Sequence, residues 1–261
     1  MALSHQDRDN LRYAKNLLEH PSLATRITNI IGTPIEKGFK LLPAQWSDIV
    51  MHATRTALQK ALNLAVTTMM DYEPAASADS LHKIIVAVTG AGGGAFGLLA
   101  LPIELSVSTT VMLRSIADIA RSEGENMRSL ETRLACIEVF ALGGRSKGDD
   151  AAETGYFAIR SALARAVSEA IQYITDRGIA QESAPAIMRL IMQIATRFGI
   201  SVSEKIAAQA VPIIGAAGGA ITNLIFIDHF QGMARGHFIV RRLERTYGAE
   251  VIRLRYNKLS V

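Results

Sequence analysis

Glu104 and His229 are the two residues whose types and positions in the sequence could form a chemical site. Each lies beside an uncharged segment about as long as a 20-residue helix: residues Ile84–Ile103 precede Glu104, and Ile206–Ile227 end two positions before His229. A carboxylate and an imidazole in apolar surroundings would pair, and burial of the pair would shift both pKa values. We therefore predict that the two side chains lie within reach of each other, largely buried, and joined directly or through one water.

An internal similarity places these side chains at equivalent positions. Sliding the sequence by 125 residues superposes GAGGGA (Gly90–Ala95) on GAAGGA (Gly215–Ala220), and Glu104 on His229. Around both residues, apolar and small residues recur at steps of three and four, which is typical of a helix face that packs against another helix. His229 is therefore expected to face a helix and not water. Further candidates for the same polar network lie on these elements: Asp118, Asp228, Arg114, Asn223 and His237.

Three interpretations of this network remain open. It could be a structural hydrogen-bond network, an ion or proton site, or a hydrolytic centre that uses Glu104 and His229. Simpler roles also fit, because an acid at Glu104 complements the start of a helix, and Asp118 can pair with Arg114 or Arg121 on its own helix. No helix carries a Glu-x-x-His or His-Glu-x-x-His motif, and no Gly-x-Ser-x-Gly motif supports hydrolysis. We expect no metal and no cofactor.

Glycines recur at four-residue spacing in both uncharged segments. The candidate helix-packing positions are Gly90, Gly93, Gly94, Gly97, Gly215, Gly218 and Gly219. Glycines four apart share one face of a helix, where the missing side chains allow another backbone to approach closely. Each costs roughly 0.5–1 kcal/mol relative to alanine inside a helix, so their density indicates a packing or bending role. A phosphate-binding loop is not favoured, because the strand context and the Gly-Lys-Ser/Thr ending are both missing.

The uncharged segments are long enough to cross a bilayer, but their composition argues against stable spans. Glycine and alanine contribute little insertion energy, and prolines, threonines, Gln209 and Asn223 dilute the apolar content. We favour a compact fold that touches a membrane or enters it in part, with a buried helical hairpin as the alternative. Basic residues beyond the second segment suit an anionic membrane surface or, alternatively, a solvated helix face: Arg235, Arg241, Arg242 and Arg245.

Composition limits the function class and the location. The chain has 261 residues, of which 49% are hydrophobic and only 6% aromatic, which favours helix over strand. The net charge is +4, but without an RNA- or zinc-type motif nucleic acid is the least favoured partner. The single Cys136 and the polar N-terminus indicate a reducing compartment, hence a cytoplasmic protein that is peripheral to or partly inserted in the inner membrane. This composition is also compatible with a homo-oligomer.

The sequence predicts one all-α domain of about nine or ten helices, with the two glycine-rich elements at its centre as an approximate internal duplication. Periodicity and end signals predict these helices: Gln6–Glu19, Ser22–Ile31, Ala44–Tyr72, Ser80–Ala100, Pro102–Glu123, Leu130–Leu142, Tyr156–Thr175, Ser183–Gly199 and Pro212–Tyr247. The tail Val251–Val261 is predicted as a strand or coil. Residues 1–42 are predicted as an N-terminal helical arm, and residues 43–261 as the main domain.

Two stretches of the sequence resemble a known protein family. GGGAFGLLALPIELSVSTTVMLRSIADIARSEGE (Gly92–Glu125) resembles the signature stretch of the EcsC family, and PIIGAAGGAITNLIFIDHFQGMARGHFIVRRLERTYG (Pro212–Gly248) resembles its closing segment. The most specific pieces are LPxE at Leu101–Glu104 and IAxxxG at Ile119–Gly124. The resemblance extends from about Asp48 to Gly248.

This resemblance implies a helical fold and little about activity. The family is named after a bacterial operon that also encodes an ABC transporter, and its members have no established biochemical activity. Some are described as membrane-associated and others as peptidases, although no protease motif is present here. The resemblance therefore implies no catalytic residues for this chain.

Three hypotheses for function follow. The leading one is a non-enzymatic, membrane-associated helical protein that binds lipid or a membrane partner from the cytoplasmic side. The second is a hydrolase-type enzyme that uses Glu104 and His229. The third is a soluble helical scaffold whose glycine-rich helices only form the core.

Overall fold

The computed structural model describes residues 3–19, 23–32, 34–69, 101–144, 155–178, 184–211 and 215–259. Within these ranges all regular structure is helical, which confirms the predicted all-α single domain. The helices are α1 (His5–Glu19), α2 (Leu23–Ile31), α3 (Ile35–Phe39), α4 (Trp46–Thr68), α5 (Leu101–Ser122), α6 (Leu130–Leu142), α7 (Tyr156–Arg177), α8 (Pro185–Gln209), α9 (Gly215–Tyr247) and α10 (Ala249–Lys258).

Two helix predictions are wrong. Helix α8 does not stop at Gly199 but continues to Gln209. Glycine ends a helix most readily where its φ is positive, as at Gly32, Gly124, Gly178 and Gly248, and Gly199 does not adopt that conformation. The tail is not a strand or coil, because residues 249–258 form α10, which buries Ile252 and Tyr256 four positions apart.

The first glycine-rich element, predicted at Ser80–Ala100, lies outside the described residues, as do its glycines Gly90, Gly93, Gly94 and Gly97. Nothing therefore tests whether the two elements are an internal duplication. The second uncharged segment is not one helix, because α8 ends at Gln209 and α9 begins at Gly215. Gly215, Gly218 and Gly219 fall in the first turns of α9.

Helix α9 is the central element of the fold. It has 33 residues, which corresponds to a length of about 50 Å, and it packs against α1, α2, α5, α6, α8 and α10. An aromatic cluster joins it to α6 and α8, with the rings of Phe140 and Phe198 4.9 Å apart and those of Phe226 and Phe230 5.1 Å apart. The buried thiol of Cys136 lies on α6.

Helix α1 packs antiparallel along α9 and belongs to the core. At one end of the contact, the Tyr247 hydroxyl donates to Asp7 at 2.6 Å, and farther along, Leu18 and Ala14 meet Gly236. The α1 side chains Leu11, Ala14 and Leu18 are buried in the same cluster as the rest of the core. Helix α1, part of the predicted arm (1–42), thus shares one core with helices of the predicted main domain (43–261).

The close contact between α1 and α9 predicts a difference between two neighbouring glycines. A Cβ added at Gly236 would lie 2.7 Å from Leu18 Cγ and 3.0 Å from the Ala14 carbonyl oxygen. Gly236→Ala is therefore expected to lower the free energy of unfolding by about 1–3 kcal/mol, because α1 must shift. Urea denaturation measures this change.

Gly232→Ala is the matched control on the same face of α9. A Cβ there would lie 3.6 Å from Leu17 Cδ2, an ordinary contact, so helix propensity should leave this variant neutral or up to about 1 kcal/mol more stable. Equal destabilisation by both substitutions would contradict the close approach at Gly236.

Near the C-terminal end of three helices, a backbone carbonyl oxygen accepts a hydrogen bond from a cationic side chain of another helix. Such contacts satisfy last-turn carbonyl groups and match the negative end of the helix dipole. They are Arg133 to the Ala65 oxygen at the end of α4 (3.5 Å), Arg197 to the Ala141 oxygen at the end of α6 (3.0 Å), and Lys15 to the Tyr256 oxygen at the end of α10 (3.0 Å).

Candidate functional site

Helices α5 and α9 lie side by side and run in the same direction. The Gln231 side chain of α9 donates to the Ser115 hydroxyl of α5 at 2.7 Å, and farther along α9 Arg241 donates to Glu125, in the loop just beyond α5, at 2.9 Å. The contact between Ser115 and Gln231 sets an offset of 116 residues between the two helices at that point. The N-terminal ends of the two helices therefore lie at the same end of the molecule.

Four large apolar side chains are exposed at these N-terminal ends. Ile103 and Val107 lie one turn apart on α5 and are 73% and 39% exposed, while Ile221 and Leu224 on α9 are 42% and 37% exposed. With the offset observed between α5 and α9, the pair on α5 and the pair on α9 lie at similar positions along the helix axes. We call these four side chains the apolar end. Single exposed apolar residues are ordinary, but a group at one end of a fold is typical of a contact surface.

A buried ion pair lies next to the apolar end. Lys205, in the last turns of α8, places Nζ 2.8 Å from Oε1 of Glu104, the residue after Ile103. The side chains are only 1% and 9% exposed, and the ammonium group also lies 5.2 Å from the centre of the Phe226 ring. The pair joins the C-terminal end of α8 to the N-terminal end of α5.

The predicted pairing of Glu104 with His229 is wrong, because Lys205 is the partner of Glu104. The prediction rested on an offset of 125 residues, whereas α5 and α9 pack with an offset of 116. The imidazole of His229 instead binds the carbonyl oxygen of Gly143.

His229 is buried, as predicted, but it has a different role. Its Nε2–H donates to the Gly143 carbonyl oxygen at 3.0 Å, just beyond the end of α6. The approach is tight, because a Cβ added at Gly143 would lie 2.5 Å from the Phe230 ring and 3.0 Å from His229 Nε2. His229 thus fixes the chain that leaves α6.

The other predicted network residues are spread over separate contacts. Asp118 pairs with Arg121 on α5 at 2.9 Å, and Asp228 pairs with Arg26 of α2 at 3.0 Å. Asn223 is fully buried on α9. Arg114 borders a cavity of about 90 Å³ between α4 and α5, together with Leu64, Thr68, Met69 and Ala117. The structure therefore does not bring these residues together as one site.

His237 belongs to a buried network that the sequence analysis did not assemble. Its Nδ1 lies 2.9 Å from the Tyr156 hydroxyl of α7. Arg160 donates to the same hydroxyl at 3.2 Å and to Glu244 at 2.8 Å. Because Arg160 can only donate, the Tyr156 hydroxyl can donate its proton to Nδ1 of a neutral His237. Burial, together with the charges of Arg160 and Arg241, holds the pKa of His237 well below its usual range.

The His237 network predicts a loss of stability in mild acid. Unfolding exposes His237 and returns its pKa to about 6.5, so the unfolded chain binds an extra proton below that pH. The stability supplied by neutral His237 is therefore intact above about pH 6.5 and decreases as the pH falls below it. His237→Asn should lower the free energy of unfolding at pH 7.5 by roughly 1–3 kcal/mol. The difference in the free energy of unfolding between this variant and the natural protein should decrease by about 1.4 kcal/mol per pH unit below 6.5.

Urea denaturation between pH 7.5 and 5.5 measures this difference in the free energy of unfolding. The exposed His52 of α4 provides the control for the substitution itself, and His52→Asn should change the free energy of unfolding at pH 7.5 by less than about 0.5 kcal/mol. The structure contains a buried neutral imidazole only if the difference in the free energy of unfolding between His237→Asn and the natural protein changes with pH. A constant difference over this range would contradict it.

Three of the four arginines predicted as a membrane surface are in ion pairs within the fold. Arg241 binds Glu125 at 2.9 Å and Arg242 binds Glu123 at 2.7 Å, while Arg245 contacts Glu125. Burial opposes ionisation of Glu125, but the bonds and charges of these arginines outweigh it and lower its pKa. Arg235 is partly buried on α9. This cluster joins α9 to the loop after α5, at the opposite end of α9 from the apolar end.

The described ranges contain neither a helix suited to cross a membrane nor a cluster suited to bind a metal. No helix there is long and apolar enough to cross a membrane. No group of three or more His, Cys, Asp or Glu side chains in the same ranges is arranged to hold a metal ion.

Comparison with known proteins gives one match. No curated protein and no solved structure is significantly similar to the chain. The model of the EcsC protein family matches residues 5–243, from the start of α1 to near the end of α9, and so includes the residues predicted as a separate arm. Because this match covers most of the 261 residues, the chain belongs to the EcsC protein family.

Proposed function

We propose that the protein is a non-enzymatic, membrane-associated helical protein that docks on the cytoplasmic face of a lipid bilayer. The observation that carries the proposal is the apolar end, where Ile103, Val107, Ile221 and Leu224 are exposed together. Helix α5 begins at the end of the first uncharged segment, and α9 begins within the second. A bilayer would cover the apolar side chains and accept the neighbouring uncharged residues.

The exposed area suits reversible docking. Complete burial of an Ile, Leu or Val side chain is worth about 1.5–3 kcal/mol, and these four side chains are already partly covered. At about 1 kcal/mol each, they supply roughly 4 kcal/mol, which is slightly weaker than the membrane affinity of a single myristoyl chain. The protein is therefore expected to bind the membrane reversibly, and any further contact with the membrane would strengthen the binding.

The break in the second uncharged segment also favours docking over spanning. Residues Ile206–Ile227 are divided between the end of α8 and the start of α9, which pack against each other. The contact between Lys205 and Phe226 and the contact between Phe198 and Phe230 show that the two helices run antiparallel. Such a hairpin would present the end of α8 and the start of α9 to a membrane surface.

Vesicle co-sedimentation tests the proposal. Ile103→Ser/Ile221→Ser removes the most exposed side chain of each helix and should weaken binding to lipid vesicles about tenfold or more. Its stability should change little, because both side chains are exposed. Tyr13→Ser/Leu254→Ser is the matched control, since it removes two exposed apolar side chains from α1 and α10.

Unchanged binding of the control and loss of binding by the α5/α9 variant would support docking through the apolar end. A natural protein that never sediments with vesicles would overturn the proposal and favour the soluble scaffold. Equal loss in both variants would assign the binding to general surface hydrophobicity and not to this surface.

A further inference from the structure

The basic residues that remain exposed near the apolar end differ from the cluster predicted from sequence. Arg241, Arg242 and Arg245 are matched by acidic side chains of the loop after α5. They also lie at the opposite end of α9, so an attraction between the apolar end and a membrane must come from other cations.

Two such cations, Lys37 of α3 and Lys40 just beyond its end, lie at the apolar end. Gly38 of α3 packs against the backbone of Ala207, where a Cβ would lie 1.7 Å from the carbonyl oxygen. Ala207 is two residues beyond Lys205, which binds Glu104 beside Ile103. This chain of contacts places α3 at the same end of the molecule as Ile103.

The exposed residues of α3 and the following turn combine charge with an apolar side chain. Lys37 and Lys40 are exposed, and Leu41, 55% exposed, follows them. Glu36 is exposed as well, so Glu36, Lys37 and Lys40 together have a formal net charge of +1. A basic and apolar surface of this kind is typical of contact with the interface of an anionic bilayer.

We infer that the apolar end docks selectively on anionic lipid, and that Lys37 and Lys40 of α3 contact the headgroups while Leu41 and Ile103 enter the interface. This inference rests on the proposed membrane docking and adds the lipid class and the residues that select it. A lysine near an anionic leaflet contributes about 1 kcal/mol, so the two should strengthen binding about 10–30-fold.

Binding to two vesicle compositions tests the inference. The full-length protein is sedimented with pure phosphatidylcholine vesicles and with vesicles that contain about 30% phosphatidylserine, at low and at high salt. We expect tighter binding to the anionic vesicles, and high salt should remove the preference because it shortens the screening length. Lys37→Gln/Lys40→Gln should bind anionic vesicles about 10–30-fold more weakly and neutral vesicles unchanged.

Arg253→Gln/Arg255→Gln is the charge-matched control, because it removes two exposed cations from α10. It should retain most of the preference for anionic vesicles. Equal binding of the natural protein to both compositions would overturn lipid selectivity but leave membrane docking intact. Equal loss in the α3 and α10 variants would overturn the assignment to α3. Failure to bind either composition would overturn the proposed function together with this inference.

Discussion

Lys205→Met is expected to lower the free energy of unfolding by about 3–5 kcal/mol, because it leaves Glu104 without its buried partner. The two charged groups are 2.8 Å apart, and their side chains are almost fully buried. Without the ammonium group, the carboxylate must remain charged in apolar surroundings or take up a proton, and both cost stability. Urea denaturation at pH 7.5 measures the loss.

A double-mutant cycle separates the pair from other effects of the substitutions. Glu104→Gln/Lys205→Met removes both charges, so it should cost clearly less than the sum of the two single variants. Glu104→Gln combined with His229→Gln should instead be additive within about 0.5 kcal/mol, because these residues do not touch. Additivity in the first cycle would contradict the ion pair, and strong coupling in the second would restore the pairing predicted from sequence.

Much of the helical architecture follows from the sequence alone. Helix α6 has the predicted bounds Leu130–Leu142, and α7 begins at Tyr156 as predicted. Gly32 and Gly124, expected to end helices, do so with φ of 72° and 77°. These features depend on local propensity and periodicity, which a single sequence records.

The arrangement of polar partners depends on register between distant helices, which local patterns do not record. Glu104 is the first charge after one uncharged segment, and Lys205 is the last charge before the other. Because the second segment is divided between the end of α8 and the start of α9, which run antiparallel, these charges fall at the same end of the fold. The prediction took the partner of Glu104 from the 125-residue offset between the two glycine runs and therefore chose His229.

The ion pairs of the C-terminal arginines were missed for a similar reason. Arg241 and Arg242 look unpaired in sequence, because only Glu244 and Glu250 lie near them in the chain. Their partners Glu123 and Glu125 are more than 110 residues away and come close only because α5 and α9 run parallel. The sequence signal that was available is the acidic loop at the predicted end of α5.

Gly38→Ala is expected to cost about 3 kcal/mol, because the new methyl group would collide with backbone atoms that no rotamer change can move. A Cβ at this position would lie 1.7 Å from the Ala207 oxygen and 2.5 Å from its carbonyl carbon. Helix α3 must therefore shift or detach, and the buried Ile35 would lose its packing. Urea denaturation should show the loss, and hydrogen exchange should show faster exchange in α3.

Gly199→Ala on the helix that α3 contacts is the control for this substitution. A Cβ there would lie 3.8 Å from Met51 Cε, and Gly199 sits inside α8, so alanine should stabilise the protein by about 0.5–1 kcal/mol. A Gly38→Ala variant as stable as the natural protein would show that α3 does not rest on Ala207. In that case Lys37 and Lys40 would lose their position at the apolar end. The same substitution therefore tests the packing of α3 and the geometry on which lipid selectivity depends.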